Sequence, residues 1–106
     1  MQPQDYPIEH FDRMTRLAVA LKGLPAQVLE HRYFGEEFGS WYVVIRHGGR
    51  VSQLTYDGRD DFLGLRRSSD HKPPYSYGPE QSVGAGNGLG SLSAAAIEEV
   101  CRAVTS

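Results

Sequence analysis

From Pro7 to Lys22, the residues Ile8, Phe11, Met14, Ala18 and Leu21 recur at three- and four-residue spacing. Glu9, Asp12, Arg13 and Arg16 occupy the other side. That period predicts an amphipathic helix whose apolar stripe faces a core. Pro7 suits the first helical position, where its missing N–H is not needed. Gly23 and Pro25 then stop the helix, because glycine accepts a left-handed cap and proline cannot continue the ladder.

Beyond Pro25 the period changes to two. Strands are predicted at Val28–Phe34, Ser40–His47, Arg50–Tyr56 and Phe62–Arg66. Gly48-Gly49 joins the second to the third as a two-residue hairpin. That turn places His47 opposite Arg50, Ile45 opposite Ser52, Val43 opposite Leu54 and Trp41 opposite Tyr56. Side chains alternate along a strand, so Trp41, Val43, Ile45, Leu54 and Tyr56 share one face, the predicted core face. If Phe34 faces Ser40, then Leu29, His31 and Tyr33 join it. If Asp57-Gly58-Arg59-Asp60 forms the next turn, Leu63 and Leu65 join it too. The opposite face then carries Arg32, Tyr42, Thr55 and Phe62 in one row. A second row holds Glu30, Val44, Gln53 and Gly64, and a third holds Val28, Arg46, Val51 and Arg66.

From about 67 to 92 the chain is rich in Pro, Gly, Ser and Tyr and has no period, which predicts a long loop. A final helix is predicted from Ser93, a good N-cap, almost to Ser106. Leu92 and Ile97 are spaced for a hydrophobic staple across that cap, and Ile97, Val100, Cys101 and Val104 form the stripe. The expected fold is one α+β domain spanning 1–106. It is a two-layer sandwich of order α-β-β-β-β-α, with an antiparallel meander and both helices on one face.

Composition narrows the function classes. The chain has 106 residues, 11 basic against 13 acidic, and a net charge of −2, unlike the basic balance of a dedicated nucleic-acid binder. A single cysteine, Cys101, excludes an internal disulfide and any multi-cysteine metal site. Met1-Gln2-Pro3-Gln4-Asp5 lacks the basic and apolar regions of a signal peptide, and no apolar run approaches a membrane span, so the cytoplasm is the expected compartment. No cofactor and no metal is expected: His10, His31, His47 and His71 are scattered without ligand spacing.

The candidate chemistry is thin. Ser68, Ser69, Asp70 and His71 are neighbours in sequence, whereas catalytic triads are assembled from separated segments. Asp57, Asp60 and Asp61 flank a glycine without the calcium-loop pattern, and Asp-Gly is ordinary turn chemistry. Gly84–Gly90 precedes the last helix, so Gly86, Gly88, Gly90 and Ser91 could hold an anion at its N-terminus. The dinucleotide and phosphate-loop fingerprints are both absent there.

The helix-strand-strand-strand-helix order resembles the double-stranded RNA-binding domain. That family presents lysines at the start of its last helix. Here Ser91-Leu92-Ser93-Ala94-Ala95-Ala96 stands in that place, followed by Glu98 and Glu99, and acidic residues repel phosphate. Nucleic acid is therefore not an expected partner.

What remains is the sheet face opposite the helices. Arginines interleaved with aromatics have the composition of a binding patch. The expectation is a non-catalytic protein-binding module of the inhibitor, immunity or secretion-accessory type. Its contact residues would be Arg32, Tyr42, Phe62, Arg46 and Arg66, with Tyr75 and Tyr77 from the long loop. A homodimer through an edge strand or this face is a further expectation. The alternatives are an anion or small-ligand binder at Gly84–Gly90, and an enzyme of unassigned class.

Overall fold

The computed structural model describes residues 8–70, 72–83 and 92–106. Helix α1 spans Ile8–Lys22. It is followed by strands β1 (Gln27–Phe34), β2 (Ser40–His47), β3 (Arg50–Asp57), β4 (Phe62–Ser68) and β5 (Gln81–Ser82), and then by helix α2 (Ala94–Thr105). The strands form one antiparallel sheet in the order β1-β2-β3-β4-β5. The fold is α+β, with two helices and a meander, as the hydrophobic pattern predicts.

The β2–β3 hairpin has the register expected from its turn: Trp41 pairs with Tyr56, Val43 with Leu54, Ile45 with Ser52 and His47 with Arg50. Gly48 takes φ +62°, a conformation a side chain would disfavour. Trp41, Val43, Ile45, Leu54, Leu63 and Leu65 are all buried on the inner face. Leu17 and Leu21 from α1 close over them, together with Ala96, Val100 and Val104 from α2.

Four features of the structure differ from the sequence expectation. The first is the phase of α1. Ile8, Phe11 and Val19 face outward, at 84, 64 and 69 % exposure, while His10, Leu17 and Leu21 are buried. Two apolar stripes with the same period overlap on this helix. The one through His10, Met14, Leu17 and Leu21 goes inward, where Leu17 and Leu21 join the core and His10 meets His31 of β1.

The second is a β-bulge in β1. Val28 pairs with Ile45 and Glu30 with Val44, which leaves Leu29 as the extra residue. Leu29 therefore turns away from the core face and borders the outer face. Val28 shifts out of the row with Arg46, and the row is lost. Bulges concentrate at sheet edges, where they twist an unpaired strand away from unwanted pairing.

The third is the β3–β4 register. Phe62 pairs with Asp57 and Gly64 with Thr55, two residues from the expected pairing. An even shift keeps every side chain on its face, so Leu63 and Leu65 still enter the core. The turn is tightened by Asp57, whose Oδ1 accepts from the backbone N–H of Arg59 at 2.9 Å. Tyr56 Oη donates to Asp61 Oδ1 at 2.7 Å, and Asp61 has φ +49°.

The fourth is the segment after β4, which is not structureless throughout. β5 pairs with Gly64 and Leu65, Tyr77 bridges to Ser68, and the Gly78 N–H donates to the Arg67 carbonyl at 2.8 Å. The Val83 N–H donates to the Leu63 carbonyl at 2.8 Å, and the Val83 side chain joins the core. An otherwise open edge of β4 supplies donors and acceptors that this polar segment satisfies.

The last helix begins as expected. The Ser93 side chain accepts from the Ala96 N–H at 3.2 Å, and Leu92 is buried. At the other end, Arg67 donates to the Ala103 carbonyl and to Ser106 Oγ, and Arg50 donates to the Ser106 carbonyl. Two cations thus complement the negative end of α2.

Candidate functional site

The outer face has two distinct areas. Across its middle, Val44, Val51 and Ser68 are buried, with neither described helix on that face. The 72–83 segment provides part of this cover: Glu80 lies over Gly64 and approaches Arg66 at 3.8 Å. Towards β1 and the sheet end nearest the β1–β2 turn, two clefts remain.

The first cleft, about 400 Å³, lies between the sheet and the segment bearing Pro73, Pro74, Tyr75 and Tyr77. Its floor includes Leu29, Tyr42 and Val44. The Tyr75 and Tyr77 rings are 6.3 Å apart. Asp70 anchors the segment by accepting from the Ser76 N–H at 2.7 Å. Tyr42 donates a hydrogen bond to the Glu30 carboxylate. Burial and that carboxylate raise the Tyr42 pKa, and burial beside Tyr75 raises that of Tyr77, so both phenols stay protonated donors.

The second cleft, about 410 Å³, opens between the β1–β2 and β3–β4 turns. Phe34, Phe38, Trp41, Tyr42 and Tyr56 supply its rings, and Glu37, Asp57 and Arg59 its charges. The Phe34 and Tyr42 rings are 6.0 Å apart. Ser40 locks the two turns together: its Oγ donates to the Glu37 carbonyl at 2.7 Å and accepts from the Gly58 N–H at 2.9 Å. Gly58 packs so closely that a Cβ there would fall 1.9 Å from the Phe38 carbonyl oxygen. Phe38 itself has φ +59° and is 71 % exposed. A left-handed aromatic costs backbone energy, and leaving its ring in water adds no folding energy in return.

Of the residues picked out in sequence, the structure brings together Tyr42, Tyr75 and Tyr77 at the first cleft. Arg32 pairs with Tyr42 in the strand register. Phe62 is not in that row, because the two-residue register shift carries it to the end of β4 opposite Asp57. Arg66 falls in the row of Val44 and Gln53, and Arg46 pairs with Val51. Gly86, Gly88, Gly90 and Ser91 lie outside the described residues, as does His71. Phe34, Phe38 and Glu37 were not singled out by sequence reasoning, and Asp57 was read there as turn chemistry rather than as part of a site. The signal for Phe38 was an aromatic set in a polar loop between Gly35 and Gly39.

The inner face holds a polar cluster of its own. Buried His10 Nε2 lies 3.1 Å from His31 Nε2, and Arg13 Nη1 lies 3.1 Å from His10 Nδ1. Arginine only donates, so His10 Nδ1 accepts, its Nε2 carries the proton, and His31 Nε2 accepts in turn. Both rings are therefore neutral. Burial, the Arg13 charge and His31 push the His10 pKa down to about 4, and burial also lowers that of His31. The His10 ring packs 4.3 Å from Tyr33 and 6.0 Å from Trp41. This is a hydrogen-bonded core pair, and among the described residues no three His, Cys, Asp or Glu side chains gather to hold a metal ion. No described helix is long and apolar enough to cross a membrane.

No protein-family model, curated protein or solved structure matches this chain significantly.

Proposed function

We propose that this domain is a non-catalytic protein-binding module that takes an extended segment of a partner protein across its outer sheet face. The observation that supports this reading is that Tyr42 lines both clefts, so the Tyr75–Tyr77 wall and the Phe34–Phe38 wall border one trough. Tyrosine and proline side chains offer large contact area with little rotamer freedom to lose, which favours their use at interfaces. The trough runs beside the sheet edge at β1, where an extended chain has room to lie.

The test is selection of peptides from a displayed random library on the immobilised domain, followed by NMR mapping of the recovered sequences. Recovered peptides should shift the amides of Leu29, Tyr42, Val44, Gln53, Tyr75 and Tyr77. Tyr42→Ala should weaken them by about 30-fold, corresponding to an interface hot spot of about 2 kcal/mol. Peptides that shift only the helices, or that bind Tyr42→Ala as well as the parent, would refute the assignment.

A further inference from the structure

We infer that the cleft between the β1–β2 and β3–β4 turns is a receptor for a guanidinium group, supplied by an arginine side chain of the bound segment. The inference rests on the binding-module reading and names what the partner must carry.

Three observations converge on a cation. The faces of aromatic rings are electron-rich and attract cations lying within about 6 Å of the ring centroid, and Phe34, Phe38 and Tyr42 line this cleft. Two carboxylates, Glu37 and Asp57, line it as well. Neither forms an ion pair among the described residues, whose ion pairs involve other acidic groups. Among the described lining residues Arg59 is the one cation, so there the carboxylates outnumber it.

The occupant is then decided by shape. A guanidinium is flat, stacks on a ring face, and presents several donors to carboxylates at once. It is also less strongly hydrated than an ammonium, so entering a ring-lined site costs it less. The cleft is held ready for it. Ser40 and Gly58 tie the two turns together, and Phe38 is kept at φ +59° with its ring outward. Asp57 Oδ1 is occupied by backbone N–H groups of its own turn, which fixes the carboxylate in place.

The experiment titrates the whole chain with N-acetyl-arginine amide and with its neutral, isosteric citrulline counterpart, reading amide shifts from Phe34 to Tyr42 and from Thr55 to Arg59. The arginine compound should give saturable shifts there, at least tenfold stronger than citrulline, and weaker at high salt. Glu37→Gln with Asp57→Asn should reduce the affinity at least tenfold, because the substituted amides keep the hydrogen-bond acceptors and lose the charge. Phe38→Leu should reduce it by a similar factor. If the Asp57 variant fails to fold, Glu37→Gln alone, at an exposed side chain, should still give a several-fold loss.

Equal binding of citrulline, no saturable shift, or preferential shifts with N-acetyl-glutamate amide would each overturn the inference. Library peptides separate its fate from that of the function. Peptides that occupy the Tyr75–Tyr77 wall without enrichment in arginine would sink the guanidinium assignment and leave the module standing. Arginine amide binding with no peptide seated in the trough would sink the module and leave a site for a free guanidinium compound.

Discussion

The two faces of the sheet are made from alternate residues of the same strands, yet they are closed by different means. On the inner face, α1 and α2 lay apolar stripes over Trp41, Val43, Ile45, Leu54, Leu63 and Leu65. On the outer face no described helix is present, and the 72–83 segment lies against β4 with Glu80 over Gly64. Helices cover area in proportion to their length, so the middle of the inner face is fully buried. A single extended segment is narrower than the sheet, so Tyr42 and its neighbours keep open clefts around them. Full cover makes a core, and partial cover leaves a surface shaped for something else.

The contrast breaks first at Trp41. Trp41→Ala should cost about 3–5 kcal/mol, as for other buried large aromatics, measured by urea denaturation. The loss should be several times that of Tyr42→Ala, one residue away on the opposite face. Equal losses would mean that the outer face is as much a core as the inner one.

A second measurement uses the His10–His31 cluster on the inner face. With His10 held near pKa 4 in the fold and near 6.5 when unfolded, the unfolded chain binds more protons between those values. Stability should therefore be fully present above pH 6.5 and fall as the pH drops towards 4, by about 3 kcal/mol for this group. His31, also lowered, adds to the loss in the same direction. Denaturation at a series of pH values checks it, and His10→Met should flatten that slope. An unchanged slope in the variant would place the histidine outside the core.

The smallest effect sharpens the outer side. A Cβ on Gly64 would come within 2.6 Å of the Glu80 side chain, so Gly64→Ala should destabilise by about 1 kcal/mol, at the low end of overpacking costs. Because the neighbour is a flexible side chain, Glu80→Ala in the same molecule should recover most of that loss. No recovery would show that Glu80 does not cover Gly64.

Much of the fold was legible before the structure, and the exceptions share a cause. The Gly48-Gly49 turn together with strict alternation placed Trp41, Val43, Ile45 and Leu54 correctly, because a two-residue loop leaves only one antiparallel register. Tyr42, Tyr75 and Tyr77 were recognisable as candidate contacts from residue type alone. Phe34, Phe38 and Glu37 were not, and Asp57 was legible only as a turn residue, since the two turns are distant in sequence and meet at Ser40 and Gly58.

Local pattern thus determined the element types, their order and the hairpin at the centre, since these follow from backbone geometry within a few residues. Tertiary contact decided the rest. Helix α1 offered two overlapping stripes, and the one that faces inward is the one that sets Leu17 and Leu21 in the core and His10 against His31 of β1. The β1 bulge at Leu29 and the two-residue offset of Phe62 arose where an edge strand and a longer turn met neighbours. The 72–83 segment has no period of its own and took its shape from the edge of β4. Where two arrangements satisfy the local rules equally, the choice is made by the partner across the fold, and one-dimensional pattern carries no record of that partner.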